Sequence, residues 1–394
     1  MGRADSEVFQ MVEPETGRAI IRVIGIGGGG CNTVNQMVQS GIEGVEFICA
    51  NTDRQHLERC STNQMLPLGT KITRGLGAGS KPDVGRQSAL EDRERIAEMI
   101  EGTDLLFVTA GMGGGTGTGA TPVIAEIAKE LGILTVAVVT KPFMFEGKKR
   151  MKAAMEGIEQ LEKSVDSLIL IPNQKLVLVL GEDATMQDCF KAANDVLQNA
   201  VRGISDLITQ TGMVNVDFAD VRTVMENHGK AMMGTGQASG PDRAMQAVEA
   251  ALSCPLLDDI EMANAHGLLV NIACDHSLKM SEVSRINDRV NEIASEDVDV
   301  KFGTSTDASL NGELRVTVVA TGLGRPKADV MPVTEGKVVA MPKPGQSTGW
   351  REIVDKPAIA RTEAGRHGQP SSLSHLVDDE QILNVPAFLR AQAD

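Results

Sequence analysis

The 394-residue chain is short of positive charge: 38 lysines and arginines stand against 53 acidic residues, a formal net charge of −15. Non-specific nucleic-acid binding draws on basic surface to release counterions from phosphates, so this balance argues against a nucleic-acid partner. An anionic nucleotide stays compatible, because backbone dipoles and a cation supply a local field of the opposite sign. Also missing is any apolar run near the roughly 18 residues of a membrane span, and no direct membrane insertion is expected. The six cysteines, Cys31, Cys49, Cys60, Cys189, Cys254 and Cys274, include no C-x-x-C pair. With no recognisable signal peptide ahead of them, they read as reduced thiols of a cytoplasmic protein, mostly filling core. The six histidines show no H-E-x-x-H spacing and are assigned no metal and no chemistry. Met1 to Ser6 fits the myristoylation pattern M-G-x-x-x-[ST], but so short a pattern recurs by chance and is set aside.

What the chain has is glycine placed after strands. Gly111 to Gly119 reads Gly-Met-Gly-Gly-Gly-Thr-Gly-Thr-Gly, closing an apolar run (Leu105 to Ala110) and opening a helix expected over Thr121 to Leu131. Its six glycines let backbone N–H groups converge, and the helix N-terminus adds positive potential, which makes a phosphate cradle. The lysine of G-x-x-x-x-G-K-[ST] is absent, so the hydroxyls of Thr116 and Thr118 are expected to serve with backbone and metal instead.

A second loop, Gly25 to Asn32, satisfies G-x-G-x-x-G, and Asp53 follows Gly30 by 23 residues, where a nicotinamide dehydrogenase would keep its ribose-binding acid. That enzyme needs one pyrophosphate cradle and this chain has two, which suits a triphosphate better. A third glycine-rich loop, Thr73 to Ser80, reads as a flexible connection or as a cover for a terminal phosphate. Glu146 and Arg150 follow the strand Leu134 to Val139 onto the same rim, either as a solvated helix start or as partners for ribose and phosphate.

Five β-branched runs between Ile20 and Pro172 alternate with amphipathic stretches, which gives an α/β fold with a parallel sheet covered on both faces. A long helix over Met186 to Ile208, roughly 34 Å, connects two lobes. On it Asn194 and Asp195 fall on the polar side and Phe190 lies one turn earlier. A solvated face and a core aromatic are the plain explanations. The alternative is that the carboxylate accepts the adjacent N1–H and amine of guanine while the ring stacks on the base. The second lobe has helical patterns at Val221 to Met232, Arg243 to Leu252 and Ser281 to Ile293, and strands at Leu268 to Ala273, Val298 to Phe302 and Leu314 to Ala320. Asn215, Asp217 and Asp220 stand at a helix start, where an acid ordinarily caps free N–H groups. They could equally position water and a cation for attack on a phosphate. Nothing near the cradles offers such a group.

These segments together resemble the FtsZ family of bacterial cell-division proteins, relatives of tubulin. The likeness rests on NTD at 51–53, TRGLGAG at 73–79, GGGTGTG at 113–119, KPFMFEGKKRM at 141–151, NDVLQNAVRGISDLIT at 194–209 and NVDFADVRTVM at 215–225. It covers nearly all of 18–322, and VPAFLRAQAD at 385–394 is similar to the family's terminal peptide.

The resemblance implies a Rossmann-like parallel-sheet GTPase domain (18–183), a long central helix (184–211) and a smaller α+β domain (212–323). A flexible N-terminus (1–17), a disordered linker (324–380) and a partner-binding peptide (381–394) would flank them. Gly28, Gly29, Gly30, Cys31, Asn32, Ala78, Gly79, Gly115, Thr116, Gly117, Glu146, Arg150, Phe190, Asn194 and Asp195 would hold GTP or GDP with Mg²⁺. Asn215, Asp217 and Asp220 would enter the nucleotide site of the next subunit and complete it for hydrolysis. The family also implies a head-to-tail homopolymer forming a ring at midcell in the cytoplasm. Its terminal peptide, from about residue 382, would bind membrane tethers of the FtsA and ZipA kind and division regulators. A nucleotide-regulated scaffold without turnover is the alternative. The chain departs from the family pattern at Asn384, at Gln381 and Ile382, at Ser80-Lys81 and at Cys31, whose place in the first phosphate loop predicts sensitivity to thiol reagents.

Overall fold

A computed structural model describes residues 18–323 apart from 182, 211, 227–228, 258–264 and 296–297. The expected N-terminal arm, linker and terminal peptide, with Gln381, Ile382 and Asn384, lie outside the described residues. The strands are β1 (Ile21–Ile26), β2 (Val45–Asn51), β3 (Gln64–Pro67), β4 (Leu105–Gly111), β5 (Leu134–Lys141), β6 (Ser167–Pro172), β7 (Gly229–Ala238), β8 (Gly267–Cys274), β9 (Asp299–Thr306) and β10 (Leu314–Leu323). The helices are α1 (Gly27–Gln39), α2 (Arg54–Leu57), α3 (Thr70–Thr73), α4 (Pro82–Glu91), α5 (Arg93–Ile100), α6 (Thr116–Glu130), α7 (Lys148–Glu162), α8 (Asn173–Leu180), α9 (Met186–Thr209), α10 (Phe218–Met225), α11 (Arg243–Leu252) and α12 (Met280–Ile293).

One sheet carries all these strands, in the order β3-β2-β1-β4-β5-β6-β7-β10-β8-β9. The first six are parallel throughout. Winding reverses between β1 and β4, and the crevice at the carboxyl ends of strands on either side of such a switch is where open α/β sheets bind ligands. Both long glycine loops leave from there. The two lobes share this sheet: β6 meets β7 through Ser167, Leu168 and Ile169 against Gly229, Lys230 and Ala231. Beyond the junction β10 runs antiparallel to β7 and β8.

The helix expected over Val221 to Met232 stops at Met225, and Gly229 to Met232 belong to β7. A Cβ at Gly234 would sit 2.0 Å from the Ala251 carbonyl oxygen, and one at Gly236 would sit 2.1 Å from that of Ala247. Bare backbone at those positions is what allows α11 to lie directly on the strand.

Helix α9 joins the lobes. At its start the Asp188 N–H donates to Thr185 Oγ1 (3.2 Å) and the Thr185 N–H donates to Asp188 Oδ2 (3.1 Å), a reciprocal cap. Its apolar stripe, from Ala193 through Leu197 and Val201 to Leu207, is buried in one cluster with Ile21 and Phe107 of the first lobe and Leu269 and Val319 of the second. A polar seam holds the second lobe to it: Asn271 Nδ2 donates to the Gly203 carbonyl (3.0 Å), and Arg202 pairs with Asp307 (2.7 Å) and Asp206 (3.4 Å). Burial pushes the Asp206 carboxyl up to about 6, against the opposing pull of Arg202 and Arg315.

Candidate nucleotide site

The β1–α1 and β4–α6 turns touch backbone to backbone. A Cβ on Gly27, whose φ is +70°, would lie 2.9 Å from the Gly117 nitrogen. One on Gly29 would lie 3.2 Å from the Gly111 nitrogen, and one on Gly30 would lie 2.3 Å from the Thr109 oxygen. Two helix N-termini are thereby brought side by side. Neither α1 nor α6 has a side-chain cap, and neither carries an acid in its first turn. Their orphan N–H groups and dipoles make a concave site of positive potential without a lysine.

The threonines act differently from expectation. Thr118 Oγ1 accepts the Gly113 N–H (2.7 Å), and Thr116 Oγ1 lies 2.6 Å from Thr52 Oγ1. Both hydroxyls are buried and hold the loop in shape, which leaves backbone N–H groups to face a ligand. The third loop comes alongside: a Cβ on Gly115 would fall 2.9 Å from the Ala78 Cβ. Ala78 is buried there while Gly79 faces open space.

Next to the cradle is a cleft lined by Gly29, Thr33, Glu146, Arg150, Asn173, Phe190 and Asn194, among others. Phe190 is 42% exposed and meets Phe143 edge-on at 5.2 Å, so the ring is not core. Glu146 accepts the Phe143 N–H (2.8 Å) and pairs with Arg150 (3.0 Å), which fixes both at the rim. Asn194 Oδ1 accepts from Thr33 Oγ1 (3.0 Å). Asp195 lies beside the cleft rather than in its lining, with Gln36 Nε2 donating to one carboxylate oxygen. Asn173, which the sequence pattern did not single out, is buried in this wall with no partner for its Oδ1. An unpaired buried acceptor is costly and marks a place for an incoming donor. Its position as the first residue after β6 was the available signal, since strand ends carry the ligand in this fold.

Cys31 does not behave as expected. Its thiol is fully buried, turned toward the carbonyl oxygens of Gly25 (3.4 Å) and Ala50 (3.6 Å), and the surrounding hydrogen bonds with Cys49 and Cys60 together with burial push it well above the ordinary thiol range. A thiol reagent meets neither access nor thiolate there, and the contact it can offer a phosphate is its N–H.

Asn215, Asp217 and Asp220 stand elsewhere. Asp217 caps α10, its Oδ1 accepting the Asp220 N–H (2.7 Å). Asn215 Oδ1 accepts the Gly212 N–H (2.8 Å), and Asp220 pairs with Lys301 (3.0 Å). They follow the end of α9, whereas Asn194 sits near its start. Fifteen residues of helix put about 22 Å between those levels. No single copy closes that gap.

Residues 20–181 match the Tubulin/FtsZ family, GTPase domain, and residues 229–324 match the FtsZ family, C-terminal domain. The cell division protein FtsZ of Pseudomonas aeruginosa is 53% identical over 98% of this chain and 100% of its own length. The chain belongs to the FtsZ family. That of Coxiella burnetii is 51% identical over 97% of this chain and 99% of its own. Among solved structures, an FtsZ dimer from M. jannaschii superposes with TM-score 0.75 at 43% identity, covering 78% of this chain and 89% of that one. CetZ2 from Haloferax volcanii, at 21% identity and TM-score 0.65, shares the fold over 78% of this chain and 94% of its own. As an FtsZ-family member the chain is a self-assembling cell-division GTPase that binds guanine nucleotide, and the dehydrogenase reading of Gly25 to Asp53 is superseded. Asp53 instead caps α2, its Oδ1 accepting the His56 N–H (3.2 Å).

Proposed function

We propose that GTP is held by one subunit and hydrolysed with groups of the next. The phosphates would lie on the N–H groups of Gly28 to Asn32 and Gly115 to Gly117, with Ala78 and Gly79 closing the third side. Ribose would meet Glu146 and Arg150, and the base would stack on Phe190 within reach of Asn173, Asn194 and Asp195. Mg²⁺ would be carried by the phosphates and water, as suits an ion that keeps much of its hydration shell. Asn215, Asp217 and Asp220 of the neighbouring copy would orient water for in-line attack on the terminal phosphate.

The observation that carries this reading is the placement of binder and acids at opposite ends of α9. Two ends that complement each other but cannot meet in one copy form a heterologous contact, which propagates head to tail. Exposed apolar side chains flank both ends: Phe145 (63%) and Leu178 (77%) on segments that reach the cleft, Met213 (75%) and Val214 (44%) beside Asn215. The finer expectations belong to the same proposal: a ring at midcell in the cytoplasm, and tethers of the FtsA and ZipA kind bound through residues 382–394.

The test is phosphate release against protein concentration with GTP and Mg²⁺, alongside sedimentation. Specific activity should rise above a threshold concentration, with polymer pelleting at the same point. Activity per molecule independent of concentration would sink the shared site.

A further inference from the structure

Directly behind the first phosphate loop, four thiol and imidazole side chains from four segments converge. Cys31 comes from α1, Cys49 from β2, His56 from α2 and Cys60 from the turn that follows it. The donor atoms of Cys31, His56 and Cys60 all lie within 4.8 Å of one another. Cys49 of β2 lies beside them, outside this group of three. We infer that Cys31, His56 and Cys60 form a binding site for a borderline-soft divalent cation of the Zn²⁺ class, its fourth position open to water.

The geometry is close to what such an ion requires. Bonds of roughly 2.0–2.3 Å in a tetrahedron put neighbouring donors about 3.3–3.8 Å apart. Closing from 4.8 Å takes about 1 Å of movement. Cys60 and His56 are only half-buried, so they have the freedom to supply it and they give the ion a way in.

His56 is arranged as a ligand would be. Its Nε2 lies 3.1 Å from Asn32 Oδ1, while its Nδ1 is buried with no hydrogen-bond partner. A ring that donates through one nitrogen to an amide oxygen keeps a lone pair on the other, and this second-sphere contact is how metal-bound imidazoles are oriented. Thiolate and imidazole select Zn²⁺ over Mg²⁺, so the ion of the nucleotide site does not compete for this one.

Position gives the site its consequence. Cys31 follows Gly30 without a gap, and Asn32, which holds His56, is the next residue of the phosphate loop. An ion here would fasten the first turn of α1 to the corner between β2 and β3, tying the loop's stiffness to metal loading.

The experiment uses the full chain, reduced and stripped of metal by chelator, with Co²⁺ as the probe. One equivalent should give a thiolate-to-cobalt charge-transfer band and the strong visible bands of a tetrahedral ion, and added Zn²⁺ should bleach them. Cys60→Ser and His56→Ala, both on the accessible side, should weaken Co²⁺ binding about tenfold or more, with Cys254→Ser unchanged. The Co²⁺-loaded chain should release GDP more slowly than the stripped chain. Only weak octahedral bands, or tetrahedral bands that survive in Cys60→Ser, would overturn the assignment. So would an intramolecular Cys31–Cys60 disulfide that accounts for the cluster while the reduced chain takes no Co²⁺.

Discussion

The two ends of α9 treat helix N-termini in opposite ways. Beside its first half, α1 and α6 begin with no side-chain cap and no acid in the first turn. Beyond its last residue, α10 begins with Asp217, whose carboxylate takes the Asp220 N–H. An uncapped N-terminus forgoes about 1 kcal/mol that a single aspartate would supply. The chain forgoes it twice at the cradle and not at the acids. On the proposed shared site, free donors are kept where the anion would bind, and carboxylates are set out at the end where the neighbour would arrive.

Breaking the acid end should have the largest effect. Asp217→Ala and Asp220→Ala should lower kcat about a hundredfold or more while leaving GTP affinity unchanged, read by phosphate release and by equilibrium nucleotide binding. Asp217→Ala should also cost about 1 kcal/mol of stability through the lost cap, visible in thermal denaturation. Normal turnover in either variant would remove these residues from the chemistry.

Breaking the cradle end should abolish binding instead. A Cβ on Gly28 meets nothing within 4 Å, so Gly28→Glu should fold and place a carboxylate where the phosphates go. GTP affinity should fall by about two orders of magnitude, as like charges are forced together. At the base, Asp195→Asn replaces an acceptor by a donor and should cost GTP about tenfold to a hundredfold in affinity, with little change for ATP. If GTP and ATP fall together, Asp195 supports α1 through Gln36 and does not read the base.

The smallest effect lies between the two ends. Asp206 is raised to about 6 in the folded chain, so it binds its proton more tightly folded than unfolded. The stability it contributes is present below about pH 4 and is lost as pH climbs to about 6. Asp206→Asn should remove that decline and raise stability at pH 7 by up to about 2 kcal/mol, once the loss of the Arg202 pairing is deducted. Tm measured against pH for both proteins checks it, and a lower Tm for the variant at pH 7 would mean that the ion pair outweighs the burial.

The parallel half of the sheet was legible because each of its longer strands is a short run rich in β-branched and other apolar residues. Strand β7 was not: its glycines carry no hydrophobic signal, and they are needed because α11 rests on them. β3 was too short to announce itself. For the site, the glycine loops were readable from their spacing alone, whereas the hydroxyls of Thr116 and Thr118 were misassigned. A sequence shows that a threonine sits in a loop but not that Gly113 and Thr52 have claimed its oxygen. Asn173 escaped for the complementary reason, since an unpartnered carbonyl is defined by what its neighbours fail to do. The thiol cluster was invisible because Cys31, Cys49, Cys60 and His56 meet only once β1, β2 and α2 are side by side.

The division of labour along α9 is tested most directly by mixing two inactive proteins. Asp217→Ala keeps a cradle and lacks the acid; Gly28→Glu keeps the acid and lacks a working cradle. Where the first subunit's GTP faces the second subunit's Asp217, one intact site forms. An equal mixture should recover roughly a quarter of the unmodified activity from random head-to-tail pairing. A mixture as inactive as its two components would contradict a site built by two subunits.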